Sequence, residues 1–535
     1  MTTLPIESIV SQPIARAFLD HSPHIVARFP HQTVDAEFCA TRARHGASRS
    51  RLVDLAASSM SSLTLSDAQN AALAVLRNPL SVATVTGQQI GLFGGPMYTI
   101  YKIRTAVEEA RRVHERAGVE TVALFWLEDN DHDAAEASST HLLDADGAVV
   151  DVRTWDKAND RKSVSGRNVD SVMYERITSA AAMITGQHAD AVRERYAEAY
   201  NNRALWADAF LAVLQPYLAP WGVLVIRGSK VIESGLHLPI LLRDVQQPGQ
   251  LGAVLALGTR VIEDLGFTPQ AIVGSQAFFG SDDTGRQKIV AGENGVSMGA
   301  EMLTNDELLA LGTEQPQRFT PSVLARPIVQ DAILPTVVSV LGAAEIAYHA
   351  QLHEAYEFCG VQMPQVVLRN GATLLDQRTE RLLLKDGHEL SWFMRAPDEL
   401  ERAIADVLTT NVVPSPELRT EFLTALLAPY VNAAETIDHT LVATVRAQGA
   451  GITSTLEALE GKLRAAAKRT QALVVNRIRS IHTLVSPRGV LQERIFPLAF
   501  WEARFGTEDL RIIVEHIARA PIGSHTVIGL SDLST

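Results

Sequence analysis

The residues best equipped for chemistry fall in two short stretches. The first, "TVTGQQIGLFGGPMYTIYK" at 84–102, runs from β-branched residues through Gly87, Gly91, Gly94 and Gly95, with Gln88 and Gln89 among them, to Tyr98 and Lys102. Glycines let a backbone approach a phosphate or carboxylate closely, the amides that open a helix favour an anion, and glutamine offers both donors and acceptors. The stretch has neither the Gly-Lys-Ser/Thr of a P-loop nor the Gly-x-Gly-x-x-Gly of a dinucleotide site. It is therefore a ligand seat or a tight piece of packing, and Tyr98 and Lys102 tilt it toward the seat. The plain alternative for Lys102 is a solvated surface lysine. The second stretch, "FWLEDNDHD" at 125–133, crowds Glu128, Asp129, Asp131, His132 and Asp133 behind an apolar run. Like charges so close need a cation, an arginine or a proton to offset them. Asp131, His132 and Asp133 could hold a magnesium ion or orient a base; a solvated acidic loop is the plain reading.

Other candidates are weaker. Arg326 and Arg369 each stand at a strand–loop junction and carry the donor fork that suits carboxylate or phosphate. His349 and His353 lie four apart but lack the glutamate of His-Glu-x-x-His, so they read as ordinary helix surface. Cys39 and Cys359 give neither metal-ligand spacing nor a disulfide framework; two buried or half-buried thiols are expected, and a zinc site built on cysteine pairs is excluded.

These residues need elements to hold them. "SVATVT" (81–86) reads as a strand, Pro96–Ala117 as a helix stopped by Gly118, and "VETVALFW" (119–126) as a second strand. This is a β–α–β unit, which gives parallel strands. On the helix, Ile100, Ile103, Val107 and Ala110 share one face, with Tyr98, Lys102 and Thr105 opposite. Further strand-like runs are "WGVLVIRG" (221–228), "PQAIVGS" (269–275) and "MPQVVLR" (363–369), separated by helical patterns. The alternation predicts an open α/β sheet, behind a mainly helical first 75 residues. Ligands in such sheets sit at the carboxyl ends of the strands, where both chemical stretches fall. The segment 151–218 reads as a helical insertion and 276–320 as a loop-rich one. Beyond 376, Ile452, Leu456, Leu459, Leu463, Ala466, Thr470 and Leu473 form a heptad seam whose partner is an intramolecular hairpin or a second chain.

At 535 residues the chain needs two or three domains, and 46% apolar with 20% charged residues is an ordinary globular composition. A net charge of −13 without a basic, aromatic-interleaved patch argues against nucleic acid. No apolar run reaches the roughly 20 residues needed to span a bilayer; "AILPTVVSVLGAA" (332–344) is a buried segment instead. The N-terminus shows no secretory pattern, so a cytoplasmic location is expected.

Taken together, "TGQQIGLFGGPMYTIYK", "FWLEDNDHD", "RPIVQDAILP" followed by "EIAYHAQL", "MPQVVLRNGAT" and "PRGVLQER" resemble, in order and over 81–494, the cysteine ligases of bacillithiol biosynthesis. The resemblance implies an α/β fold: a Rossmann-like parallel sheet core with helical and loop-rich insertions (1–375), a helical coiled-coil domain (376–485) that forms a homodimer, and a C-terminal segment (486–535) returning to the core. It implies amide formation between L-cysteine and glucosaminyl-malate, with the carboxyl activated by ATP through adenylation or phosphorylation, and with magnesium rather than zinc. Lys102, Asp131, His132 and Asp133 are then the expected catalytic residues, with His132 as the base. Thr86, Gly87, Gln88, Gln89, Gly94, Gly95, Tyr98, Trp126, Glu128, Arg326 and Arg369 are the expected substrate or nucleotide contacts, and no residue is assigned as a resident metal ligand. Asn130 departs from the family's glutamate, His349 from its frequent aromatic, and Arg227 from an expected acidic residue. An enzyme adenylating another small acid, and a non-catalytic nucleotide-binding scaffold, are the alternatives.

Overall fold

The computed structural model describes residues 2–4, 9–155, 163–201, 204–274, 276–282, 285–292, 295–409 and 413–529. Residues 156–162 and 202–203 of the expected helical insertion, and 283–284 and 293–294 of the loop-rich one, lie outside that set. The chain forms two compact units, Met1–Asp376 with Glu493–Thr535, and Gln377–Gln492.

The first unit is organised by five parallel strands. These are β1 (Val82–Gln89), β2 (Thr121–Glu128), β3 (Leu224–Arg227), β4 (Thr336–Leu341) and β5 (Gln365–Leu368), in the order β5-β4-β1-β2-β3. Strands buried on both faces read as continuous β-branched runs, which is why 81–86, 119–126 and 363–369 are legible as strands. Register aligns Gly87 with Trp126 and Gln89 with Glu128, so both chemical stretches reach the same edge. From β1 the chain steps outward through β2 and β3, then returns to β4 on the other side of β1. The gap between β1 and β4 is the topological switch point, where ligands of such sheets bind.

Helix α1 (Tyr98–Ala117) is the crossover between β1 and β2 and ends at Gly118 in the left-handed region at φ 67°. It is enclosed on nearly every side: Lys102, Thr105, Glu108 and Glu109 are as buried as Ile100 and Ile103. The face that carries Lys102 and Thr105 is not solvated, because α1 is covered by the sheet on one side and by Thr507–Arg519 on the other; only its last turns, at Arg111 and from His114 to Arg116, reach solvent. Asn370 Nδ2 also donates to Ile517 O at 2.9 Å, and Thr105 accepts from Asn370 N. At the N-terminus Ala36–Ala43 packs Phe38 and Cys39 against Val82, Val113 and Val338, and buried Arg42 donates to Thr336 O, Asp331 O and Leu334 O.

Three expectations change. "PQAIVGS" forms no strand over its described residues; Ile272 is 97% exposed and lies at the mouth of a cavity. The 276–320 insertion is a five-stranded antiparallel sheet with the helix Asn305–Glu314, rather than loop-rich. Its strands run from Phe278 to Leu303, with Thr320–Pro321 at one edge. A hairpin of Ser139–Leu143 and Val149–Arg153 precedes the helices of 151–218. The segment returning after the helical unit closes with His525–Gly529, parallel to Gly371–Leu375.

The second unit holds Gln377–Asp386, Pro397–Thr409, Pro416–Ile437, Leu441–Thr470 and Ala472–Val485. Pro416–Ile437 and Leu441–Thr470 pair as a hairpin through Arg419 with Glu457 and Glu460, and through Leu427 over Gly449. The heptad seam is left largely uncovered in this chain: Ile452, Leu459 and Leu463 are 39%, 52% and 41% exposed. Its last position, Leu473, falls past the helix break at Gln471. Among the described residues no helix is long and apolar enough to cross a membrane.

Candidate active site

A cavity of about 840 Å³ opens at the carboxyl edge of the parallel sheet. Its walls come from the ends of β1 and β2, from 342–348 after β4, from Arg369 after β5, from the antiparallel sheet, and from Arg494. That size suits a metabolite-scale ligand.

Lys102 straddles the switch point. Its Nζ donates to Gly87 O at 2.5 Å, at the end of β1, and lies 2.7 Å from Glu345 Oε2, beyond β4. Burial pulls the Lys102 pKa down, although Glu345 acts the other way. Burial would raise Glu345, but Lys102 and the Gly342 N–H hold it below the usual carboxylate range. At that separation we take both as charged. Lys102 is thus no surface lysine; it fixes the two strand ends that frame the cavity.

Glu128, at the end of β2, accepts from Trp126 Nε1 at 2.9 Å. Burial pushes its pKa up to about 7, against the pull of the Arg326 guanidinium. A carboxyl with that pKa, facing a cavity, is suited to take or give a proton at neutral pH. Arg326 donates to Gln330 Oε1 at 3.0 Å and to the Tyr348 hydroxyl at 3.4 Å. Burial lowers its pKa, but Tyr348 and Glu128 outweigh that and keep it charged.

The acidic stretch disperses. Asp129 is fully buried and accepts from Arg227 Nε at 2.7 Å, Ser229 N and Ser229 Oγ; the unexpected Arg227 is its structural partner and also pairs with Asp208. Asp131 faces the cavity, accepts from Gln89 Nε2 and lies 3.7 Å from Arg286. His132 is not among the lining residues. Asp133 is exposed and caps Ala134–Ala137 by accepting from Glu136 N at 2.8 Å. The expected Asp-His-Asp team is therefore split, and only Asp131 reaches the cavity. Among the described residues no group of three His, Cys, Asp or Glu could hold a metal ion.

The glycine turn divides in the same way. Gly87, Gln88 and Gln89 line the cavity, whereas Thr86 is buried and donates to Val340 O. Beyond them the turn is packing. Phe93 N donates to the Tyr200 hydroxyl, Gly95 N to Leu92 O, and Met97 N to Phe496 O. Gly94, at φ 84°, lies where a Cβ would stand 2.8 Å from Leu498 Cβ, and Gly95 O accepts from Leu498 N. Its amides are taken by Tyr200, by the turn itself and, at Met97, by the returning C-terminal segment, so the anion seat expected at Gly94 and Gly95 is corrected to a dock for the chain itself.

That dock sets one wall. Glu493 accepts from Arg369 Nη2 at 2.5 Å and from Ala372 N at 3.1 Å, and Arg369 and Arg494 both lie over the Tyr98 ring, at 5.2 and 5.8 Å. The Tyr98 hydroxyl accepts from Gln88 Nε2 at 3.3 Å. Sequence reasoning missed Glu345, Tyr348, Arg286, Lys288 and Arg494; the last lies within the quoted "PRGVLQER". His349 is buried rather than on a helix surface, with burial pushing its pKa down to about 4, and His353 sits on a separate helix paired with Glu357. Burial likewise raises the Cys39 and Cys359 thiols to about 11 and about 12, which leaves both protonated.

A parallel sheet with a charged cavity at its switch point defines a Rossmann-like ligand-binding core, here with a separate helical unit. Residues 1–370 match the "Bacillithiol biosynthesis BshC, N-terminal Rossmann-like domain", and residues 372–529 the corresponding "C-terminal coiled-coil domain". The chain belongs to the BshC family of bacillithiol biosynthesis. A protein of Salinibacter ruber named "Putative cysteine ligase BshC" is 30% identical over 470 residues, covering 85% of this chain and 84% of its own. Namesakes from Heliobacterium modesticaldum and Geobacillus kaustophilus are 30% and 27% identical, over 74% and 81% of this chain and 76% and 81% of theirs. A solved structure titled as an arginyl-tRNA synthetase of Campylobacter jejuni aligns with 81% of this chain and all of its own at 10% identity, with a TM-score of 0.25.

Proposed function

We propose that this protein is a cytoplasmic ligase that joins the carboxyl group of L-cysteine to the amine of glucosaminyl-malate, the closing step of bacillithiol synthesis. The single observation that carries the reading furthest is the cavity at the switch point, which sets Glu128, with a pKa of about 7, among Lys102, Arg326 and Arg369. The names of the relatives, cysteine ligases, support cysteine as one substrate.

Amide formation from a free carboxylate is uphill, so the cysteine carboxyl is first activated by ATP. Either adenylate forms and pyrophosphate leaves, or acyl phosphate forms and ADP leaves. The sugar amine then attacks the carbonyl carbon; the new C–N bond forms as the bond to the phosphoryl oxygen breaks, and the amine proton passes to Glu128. This gives Glu128 the role first expected of His132, which lies off the cavity. Arg326, held by Gln330 and Tyr348, is placed to stabilise developing negative charge. Any magnesium would be held chiefly by the nucleotide phosphates, since Asp131 is engaged by Gln89 and Arg286 and Asp133 by its helix.

The helical unit supports a homodimer: Leu418, Phe422, Leu426 and Tyr430 repeat every fourth residue and are 46–70% exposed. The test of function is mass spectrometry of purified protein with ATP, cysteine and glucosaminyl-malate. The reading expects the cysteinyl amide together with AMP or ADP. Nucleotide turnover with a different acid would favour the alternative adenylating enzyme, and nucleotide binding without turnover a scaffold.

A further inference from the structure

Six cationic side chains line the cavity, Lys102, Arg286, Lys288, Arg326, Arg369 and Arg494, and four are already engaged. Lys102 is paired with Glu345 and Arg369 with Glu493. Arg286 lies 3.7 Å from Asp131 and is stacked on Phe279, while Arg326 is held by Gln330 and Tyr348. Arg494 and Lys288 are different. Both are exposed, and neither side chain has a hydrogen bond or an ion pair with a described residue.

The position of Arg494 is built with some care. Glu493 before it is tied down by Arg369 and Ala372 N. After it, Phe496 O accepts from Met97 N and Leu498 N donates to Gly95 O. The guanidinium rests over the Tyr98 ring. The backbone is thus fixed on both sides while the donor fork stays open, as a planar carboxylate receptor requires. A phosphate would more readily use main-chain amides at a turn or helix start, and those nearby at Phe93, Gly95 and Met97 are taken by the protein itself.

We propose that Arg494 binds a carboxylate of the acceptor substrate, with Lys288 of the antiparallel sheet taking a second one, so that the two select a dicarboxylate-bearing amino sugar over a neutral one. This rests on the ligase reading of the same cavity. Two cations without an ion pair to any described residue match a dianion, and they come from separate elements that the fold brings to one cavity.

The experiment uses the full-length protein and the variants Arg494→Ala, Arg494→Lys and Lys288→Ala. Steady-state ligation is measured with glucosaminyl-malate and with methyl glucosaminide, which has the amine but no carboxylate. Titration calorimetry of glucosaminyl-malate without nucleotide runs in parallel. Loss of one charge-assisted contact weakens binding about tenfold or more. Arg494→Ala and Lys288→Ala are each expected to raise KM and Kd for glucosaminyl-malate by that factor, to lower the preference over methyl glucosaminide equally, and to leave KM for cysteine and ATP unchanged. Arg494→Lys should recover part of the loss. Unchanged KM and Kd, or a rise in KM for ATP in their place, would overturn the proposal. If the wild-type protein ligates nothing, the ligase reading fails while calorimetry still decides. Binding of glucosaminyl-malate that Arg494→Ala weakens sustains the carboxylate site, and absence of binding overturns it.

Discussion

Replacing Glu128 by glutamine removes one titrating group and its attraction for Arg326, while the amide oxygen can still accept from Trp126 Nε1, now 2.9 Å away. Burial lifts the Glu128 carboxyl from 4.5 to about 7. Between those values the folded protein holds a proton that the unfolded chain has released, so stability falls as pH rises through this window. From about pH 5 to about pH 8 the fall is about 2 to 3 kcal/mol for a sealed site. The side chain is half-buried, and allowing for its contact with water leaves about 1 to 2 kcal/mol. The variant lacks this penalty. Urea unfolding of both proteins across that range should show Glu128→Gln gaining on the wild type by this amount as pH rises. In ligation, the wild-type kcat/KM should fall as pH drops below about 7, and the variant should lose both most of its rate and this acidic limb. A stability difference that stays flat with pH would refute the burial argument, and a full rate in the variant would remove Glu128 as the base.

Three further outcomes are expected. Lys102→Met strips Glu345 of its partner and should cost about 2 to 4 kcal/mol and more than tenfold in turnover; the double variant Lys102→Met/Glu345→Gln should regain at least half of the stability in urea unfolding, and an unaffected single variant would return Lys102 to a surface role. Gly94→Ala combines a left-handed φ of 84° with a Cβ 2.8 Å from Leu498, about 1 to 2 kcal/mol for the first and about 1 to 3 kcal/mol for the second. Its urea midpoint should drop accordingly, whereas an anion seat would lose nucleotide affinity at unchanged stability. Asp133→Ala removes the cap of a single-turn helix and should cost no more than about 1 kcal/mol with turnover within about twofold of wild type; a large rate loss would restore Asp133 to the site.

Four of the five parallel strands were legible because they are buried on both faces and spell themselves as largely apolar, β-branched runs, whereas β4 lies inside 332–344, which reads only as a buried segment. The same rule misled at "PQAIVGS", where an apolar run lies exposed at a cavity mouth, and it missed the antiparallel insertion, whose strands such as Gly285–Gly292 alternate buried and exposed residues between glycines. Within the site, Lys102, Glu128, Arg326 and Arg369 were legible as types; Glu128 and Arg369 stand at strand ends as expected, whereas Arg326 lies in the helix Ala325–Ile333 rather than at a strand–loop junction. The residues that share the cavity with them were not legible, since Glu345, Arg286 and Arg494 come from distant segments that only tertiary structure brings together. The glycine turn shows the limit most clearly. Its composition announces close backbone approach, and a local reading has no means of telling whether the approaching group is a ligand or, as here, Leu498 of the same chain.

The central claim is that the amine of the acceptor meets activated cysteine beside Glu128 at the gap between β1 and β4. Diffraction from crystals soaked with glucosaminyl-malate, cysteine and a non-hydrolysable ATP analogue tests it most directly. The account predicts acceptor density in the cavity with its amine within about 3.5 Å of the Glu128 carboxylate. Density for the acceptor at another surface, with the cavity filled only by solvent, would contradict it.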